Sequence, residues 1–158
     1  MDPSALLAGR TRETKIRRDA SGLWYEGDQA LEHPNLARSF DGWVDRAEDG
    51  RYCLSNDINW AYVTIEGPAY FVRGVELTEG AVSLRLSGER REPLDGRTLR
   101  QGPDGVLYCD VREGRCPALF DNHAALQLGD LLGEDAEGPY VDLPSGRVHP
   151  PVVADPLA

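Results

Sequence analysis

The chain has 158 residues, of which 41% are hydrophobic and 28% charged, a balance that supports a folded core without metals or disulfides and excludes disorder of the whole chain. Its net charge of −10 repels phosphate backbones, so nucleic-acid binding through the fold is not expected. Three cysteines make an odd count that argues against a secreted disulfide framework, and no apolar run approaches the roughly 20 residues that span a bilayer.

Residues 1–18 carry Arg10, Arg12, Lys15, Arg17 and Arg18 against Asp2 and Glu13, and are expected to form a basic, flexible tail. A first α+β half is expected over residues 19–100. It opens with a short strand at residues 23–25. Leu36, Phe40, Trp43 and Val44 then fall on one face of a helix within residues 33–44, with Pro34 suited to its first turn. Short strands follow at residues 52–54 and over residues 60–65, where Trp60, Tyr62 and Thr64 alternate with Ala61, Val63 and Ile65. Thr78-Glu79-Gly80 forms a hairpin turn between strands at residues 71–77 and 81–86, with Val82, Leu84 and Leu86 facing inward and Ser83, Arg85 and Ser87 outward. Gly67-Pro68, Asp95-Gly96 and Asp104-Gly105 mark further turns.

A second half is expected over residues 101–144. It has strands at residues 106–109 and 140–143 and a helix near residues 121–132 that buries Ala124, Leu128, Leu131 and Leu132, capped by Asp121 or Asn122. Residues 145–158, rich in proline, read as an irregular tail. The fold class is α+β, with antiparallel strands and one amphipathic helix in each half.

The halves resemble each other. Ser21-Gly22-Leu23-Trp24-Tyr25 matches Asp104-Gly105-Val106-Leu107-Tyr108, and at the same spacing Pro34 meets Pro117 and Leu36 meets Leu119. Glu48-Asp49-Gly50-Arg51-Tyr52 resembles Glu137-Gly138-Pro139-Tyr140. An internal duplication is expected, with a seam between the copies as a natural ligand site.

Gly22-Leu23-Trp24-Tyr25-Glu26-Gly27, a helix ending in Phe40, Asp49-Gly50-Arg51-Tyr52, and Val63 to Val72 together resemble the bacterial domain of unknown function 1285 family. They are also similar to the eukaryotic uncharacterised protein family 0598. Asp104 to Tyr108, Ala118-Leu119-Phe120 and Leu126 resemble the second half of both. The chain departs from the first family at Glu32 or His33, where a basic residue is usual, and near Gly67, where an acidic one is. The resemblance implies a duplicated two-part fold with a second half like pleckstrin-homology folds. It also implies a nucleotide-like ligand at the seam and a signalling role. No activity is established for the family.

No Gly-x-Ser-x-Gly elbow and no phosphate-binding glycine loop occurs, and no catalytic residue is assigned. Cys109, Cys116 and His123, spaced seven apart, would suit zinc if the fold joined them with Asp110 or Asp121, but the C-x₂₋₄-C spacing of structural sites is missing. Neither a metal nor another cofactor is expected. His33 beside Glu32 is either a general base or a solvated helix-start residue, and His149 has no evident partner.

Trp60, Tyr70, Arg73 and Arg85 are the candidate ligand-binding residues, because arginine forks onto a phosphate and aromatics stack on a base. The competing reading makes Trp60 and Tyr62 core, with the arginines lying over it. The expected function is non-enzymatic binding of a small anionic, nucleotide-like ligand. The alternatives are a protein-interaction adaptor and, behind it, a zinc-dependent enzyme. A cytoplasmic protein with no membrane association is expected.

Overall fold

The computed structural model describes residues 12–158, so Asp2 and Arg10 of the basic N-terminus lie outside the described residues. The chain divides into two compact units, one ending at Ala69 and the other running from Tyr70 to Ala158. Both are rich in mixed and antiparallel sheet with few helices, an α+β fold.

The first unit begins with β1 (Ile16–Arg18), β2 (Trp24–Glu26) and β3 (Gln29–Ala30). Residues 12–18 had been expected in a flexible tail. Instead β1 is built in, with Ile16 and Arg18 buried and Arg17 facing out over the Tyr25 ring at 4.2 Å. A single isoleucine among charges gives no apolar alternation, so the strand is hidden from sequence periodicity.

Helix α1 (Pro34–Trp43) follows, with Pro34 at its first position and Leu36 and Phe40 buried one turn apart. His33 is its N-cap, the ring Nδ1 accepting from the Leu36 N–H at 3.4 Å. The chain turns extended after Trp43, so Val44 opens β4 (Val44–Arg46) rather than ending the helix. β5 (Tyr52–Ser55) and β6 (Trp60–Tyr62) complete an antiparallel three-stranded sheet in the order β4-β5-β6.

The single strand expected over residues 60–65 breaks at Val63. β7 (Thr64–Ile65) leaves β6 and pairs parallel with β1, giving a four-stranded sheet β3-β2-β1-β7. Trp24, Leu36, Phe40, Val44, Leu54 and Ala61 form the core of this unit.

The second unit holds β8 (Tyr70–Thr78), β9 (Ala81–Leu86), β10 (Arg90–Pro93), β11 (Arg100–Gln101), β12 (Leu107–Val111) and β13 (Cys116–Phe120). They make one sheet in the order β10-β9-β8-β13-β12-β11, antiparallel except for β8 against β13. The expected hairpin closes with Thr78 paired to Ala81 and Gly80 at φ +74°, a backbone that glycine adopts without strain. Val82, Leu84 and Leu86 are buried as their alternation requires. Ser87, expected outward, is also buried, its hydroxyl accepting from the Phe71 N–H at 3.1 Å.

The boundary expected between residues 100 and 101 falls inside β11, and strands from both sides of it share this sheet. Pro117 and Leu119 lie in β13, whereas Pro34 and Leu36 lie in α1, so these pairs do not correspond.

Helix α2 (Asn122–Gln127) is capped by the Asp121 carboxylate, which accepts from the Ala124 N–H at 2.9 Å. It is shorter than expected, because a one-turn 3-10 helix at residues 129–131 replaces its end. A second three-stranded antiparallel sheet follows, β14 (Leu132–Asp135), β15 (Gly138–Leu143) and β16 (Gly146–Val148). β16 lies in the segment expected to be irregular. The remainder of that segment is tied to β11, with the Gln101 N–H donating to Pro151 O and the Val153 N–H donating to Gln101 O, both at 2.8 Å. Among the described residues no helix is long and apolar enough to cross a membrane.

Candidate ligand-binding site

The structure divides the four candidate ligand residues. Trp60 belongs to the first unit and Tyr70, Arg73 and Arg85 to the second. Tyr70 is fully buried at the start of β8, and its hydroxyl accepts from Arg112 Nη1 at 3.2 Å. Burial, only partly offset by Arg112, pushes its phenol up to about 12. A ring packed in this way is core and offers no stacking face.

Arg73 follows Val72 at a β-bulge and faces outward, 3.5 Å from Asp121 and 4.7 Å from the Phe71 ring. Arg85 crosses Gly74, where a Cβ would meet its Nη2 at 2.8 Å, and donates to Arg73 O at 3.4 Å. The two arginines therefore stand together on an exposed sheet surface, while Tyr70 points the other way.

Trp60 packs edge-on to Tyr62 at 5.1 Å, with Arg12 over its ring at 4.6 Å and Arg51 over that of Tyr62 at 3.7 Å. Both aromatics line an open cleft of about 530 Å³ that also holds Arg46, Glu48, Asp49 and Cys53.

The zinc reading finds no geometry. Cys109 and Cys116 are buried within the sheet, while His123 is exposed on α2. Burial raises the Cys109 thiol, which opposes the thiolate form that zinc needs. Among the described residues no group of three histidine, cysteine or acidic side chains is placed to hold an ion. His33 serves as a cap, as described above. His149 does have a partner, its Nε2 lying 2.9 Å from Asp135 Oδ1. That hydrogen bond, ahead of smaller contributions, holds the Asp135 carboxyl below the usual carboxylate range.

The second unit also holds a cavity. Its volume is about 360 Å³ and its walls come from β11, β12, β13, α2, β14 and β15. Leu107, Phe120, Ala125, Leu128 and Val141 supply apolar surface, with Leu132 half-exposed at its edge. Polar groups are few. Gln101 donates its amide to Pro150 O at 3.0 Å, Asp104 accepts from the Val106 N–H at 3.1 Å, and Asn122 opens α2.

Tyr140 is held rigidly beside them. Its ring covers Gly133, where a Cβ would collide with it, and Arg147 lies 3.6 Å from the ring centre. Asp135 fixes Arg147 in turn at 3.1 Å. Among the described residues no basic side chain and no serine, cysteine or histidine nucleophile lines the cavity.

Sequence periodicity missed this site because its walls are ordinary core residues with no motif. One signal was present. The match of Gly22-Leu23-Trp24-Tyr25 with Gly105-Val106-Leu107-Tyr108 sets a leucine where the first string has tryptophan.

No protein-family model matches the chain, and no curated protein matches it at a significant level. Solved structures do. A DUF1285 family protein from Silicibacter pomeroyi DSS-3 superposes with a TM-score of 0.66 at 17% identity, covering 92% of this chain and 85% of that one. A DUF1285 family protein from Shewanella baltica OS155 superposes with a TM-score of 0.54 at 15% identity, covering 69% of this chain and 85% of that one. This chain therefore resembles the DUF1285 family proteins, whose fold it has.

Proposed function

We propose that the protein binds a small molecule in the cavity of its second unit and performs no chemistry on it. The observation that carries this reading is the cavity itself. A concavity of about 360 Å³ with mainly apolar walls and a few polar groups is the usual form of a small-molecule site. Among the described residues its lining lacks the paired nucleophile and base of covalent catalysis, and Asp104 makes its edge acidic.

The test is a thermal-shift and calorimetric screen of metabolites against the wild-type protein and an Ala125→Trp variant, whose new side chain occupies the cavity. Ligand at 100 times its dissociation constant adds about 2.7 kcal/mol of stability, which the screen resolves. A ligand lost in the variant supports the reading. A ligand bound equally by the folded variant, or no ligand at all, overturns it.

A second reading keeps the anionic, nucleotide-like ligand and assigns it to the Trp60 cleft of the first unit. What favours it is Arg46, whose Nε is buried there with no hydrogen-bond partner. Nucleotides in the same screen test it, and binding that survives Arg46→Ala counts against it.

The two units are also read as copies of one motif. In each, a strand pairs antiparallel with the next, a third strand adds to the second, and a helix and a three-stranded meander follow. The chain then returns parallel to the first strand, Thr64–Ile65 beside Arg17–Arg18 and Val152 beside Gln101. The first turns match in detail. Asp19 N donates to Leu23 O and Gly22 N to Asp19 O, as Gly102 N does to Val106 O and Gly105 N to Gly102 O, with Gly22 and Gly105 both at positive φ. On this register Arg18 corresponds to Gln101 and Trp24 to Leu107. Counting from the caps His33 and Asp121, Phe40 corresponds to Leu128.

A further inference from the structure

We propose that the ligand of the second unit is a flat aromatic or heteroaromatic molecule carrying an N–H or O–H donor, seated where the second copy of the motif has lost the aromatic core residue that the first copy keeps. This rests on the reading of the cavity as a ligand site and on the correspondence of the two units.

In the first unit the space between the first hairpin and the helix is filled. Trp24 is buried and meets Phe40 edge-on, the rings 5.3 Å apart at 70°. The Arg18 guanidinium lies over the indole ring, 5.3 Å from its centre. The indole N–H donates to Asp41 Oδ1 at 2.8 Å. Planar ring, flanking group and acceptor make one assembly.

The second unit keeps the frame and pares down each of these residues. Arg18 becomes Gln101, Trp24 becomes Leu107 and Phe40 becomes Leu128, and all three smaller residues line the cavity. Asp41, eight residues after its cap, corresponds to Gly129, which a Cβ would leave in open space.

A packed interior tolerates few voids, so a consistent loss of volume at matched positions leaves a hole of the shape that was removed. The shape removed here is that of an indole with its surroundings. Phe120, buried in the cavity wall, supplies an aromatic partner for edge-on or offset contact. Asp104, Asn122 and Gln101 bring acceptor oxygens to the cavity lining, which a donor group of the ligand would meet, and the absence of a basic residue from the described lining disfavours an anion.

The experiment compares indole with 1-hexanol as probes, by calorimetry and amide chemical shifts, on wild type and Leu107→Trp. Wild type is expected to bind indole more tightly than hexanol, with shifts at Gln101, Phe120 and Leu128. Leu107→Trp restores the residue of the first unit, so it should weaken indole binding at least tenfold while keeping or raising the melting temperature. Should that variant not fold, Ala125→Phe fills the same space from α2.

Hexanol, or a metabolite without a ring, bound in preference to indole and lost on filling overturns the aromatic class and leaves the cavity site standing. Indole bound equally by wild type and a folded filled variant overturns both. So does a wild type that binds neither probe and no metabolite.

Discussion

Replacing Asp41 by alanine probes the most heavily committed polar group of the first unit. Asp41 accepts from Arg18 Nη1 at 3.1 Å and from the Trp24 indole N–H at 2.8 Å. The Arg18 side chain is 1% exposed and that of Asp41 24%, so the cation lies inside and its counter-ion faces partly outward. Removing the carboxylate leaves a buried guanidinium with the carbonyls of Pro68 and Ala69 as acceptors and the indole N–H without one. Breaking a buried pair costs about 3–5 kcal/mol, and orphaning a buried donor about 1–3. The two losses share one group and do not add, and the retained carbonyls soften the first, so we expect about 3–4 kcal/mol.

The assay is urea unfolding followed by tryptophan emission. Trp24, Trp43 and Trp60 all precede Ala69, so emission reads the first unit alone. With slopes of about 1–3 kcal/mol per molar urea for small proteins, the midpoint should fall by about 1 M or more. Arg18→Met combined with Asp41→Ala should recover part of the loss, because it removes the stranded charge. A loss below about 1 kcal/mol for Asp41→Ala, the range of exposed ion pairs, would refute the reasoning.

Tyr70 sets an alkaline limit. Burial raises its phenol from 10.0 to about 12, so folding favours the neutral form. Its contribution is whole below pH 10 and is lost as pH rises from 10 towards 12. Spectrophotometric titration should show a tyrosine ionising near pH 12 that is absent in Tyr70→Phe, and a titration curve left unchanged by that substitution would contradict this. Cys53, Cys109 and Cys116 are all buried, and the Cys109 thiol is raised by that burial. A thiol reagent should label none in the native protein and three after unfolding, and rapid native labelling of Cys109 would count against its placement.

The sequence by itself was enough for the elements that carry strong periodicity or turn chemistry. Leu36 and Phe40 placed α1, Val82, Leu84 and Leu86 placed β9, and Glu79-Gly80 placed the hairpin, because each signal is local. The matching strings at Gly22 and Gly105 were equally legible, since a turn that needs positive φ selects glycine in both. What only the tertiary structure decided depends on partners distant in the chain. β1 exists because Arg18 finds Asp41 and the carbonyls of Pro68 and Ala69, and no local pattern announces a buried arginine. β16 and the return to β11 depend on β15 and Gln101 as templates. Tyr70 and Arg73 are close in sequence, yet the strand sends one into the core and the other outward. The cavity is the clearest case, because it is made by side chains that are too small for a frame drawn from six separate elements. A void has no residue of its own, so no residue type could have signalled it.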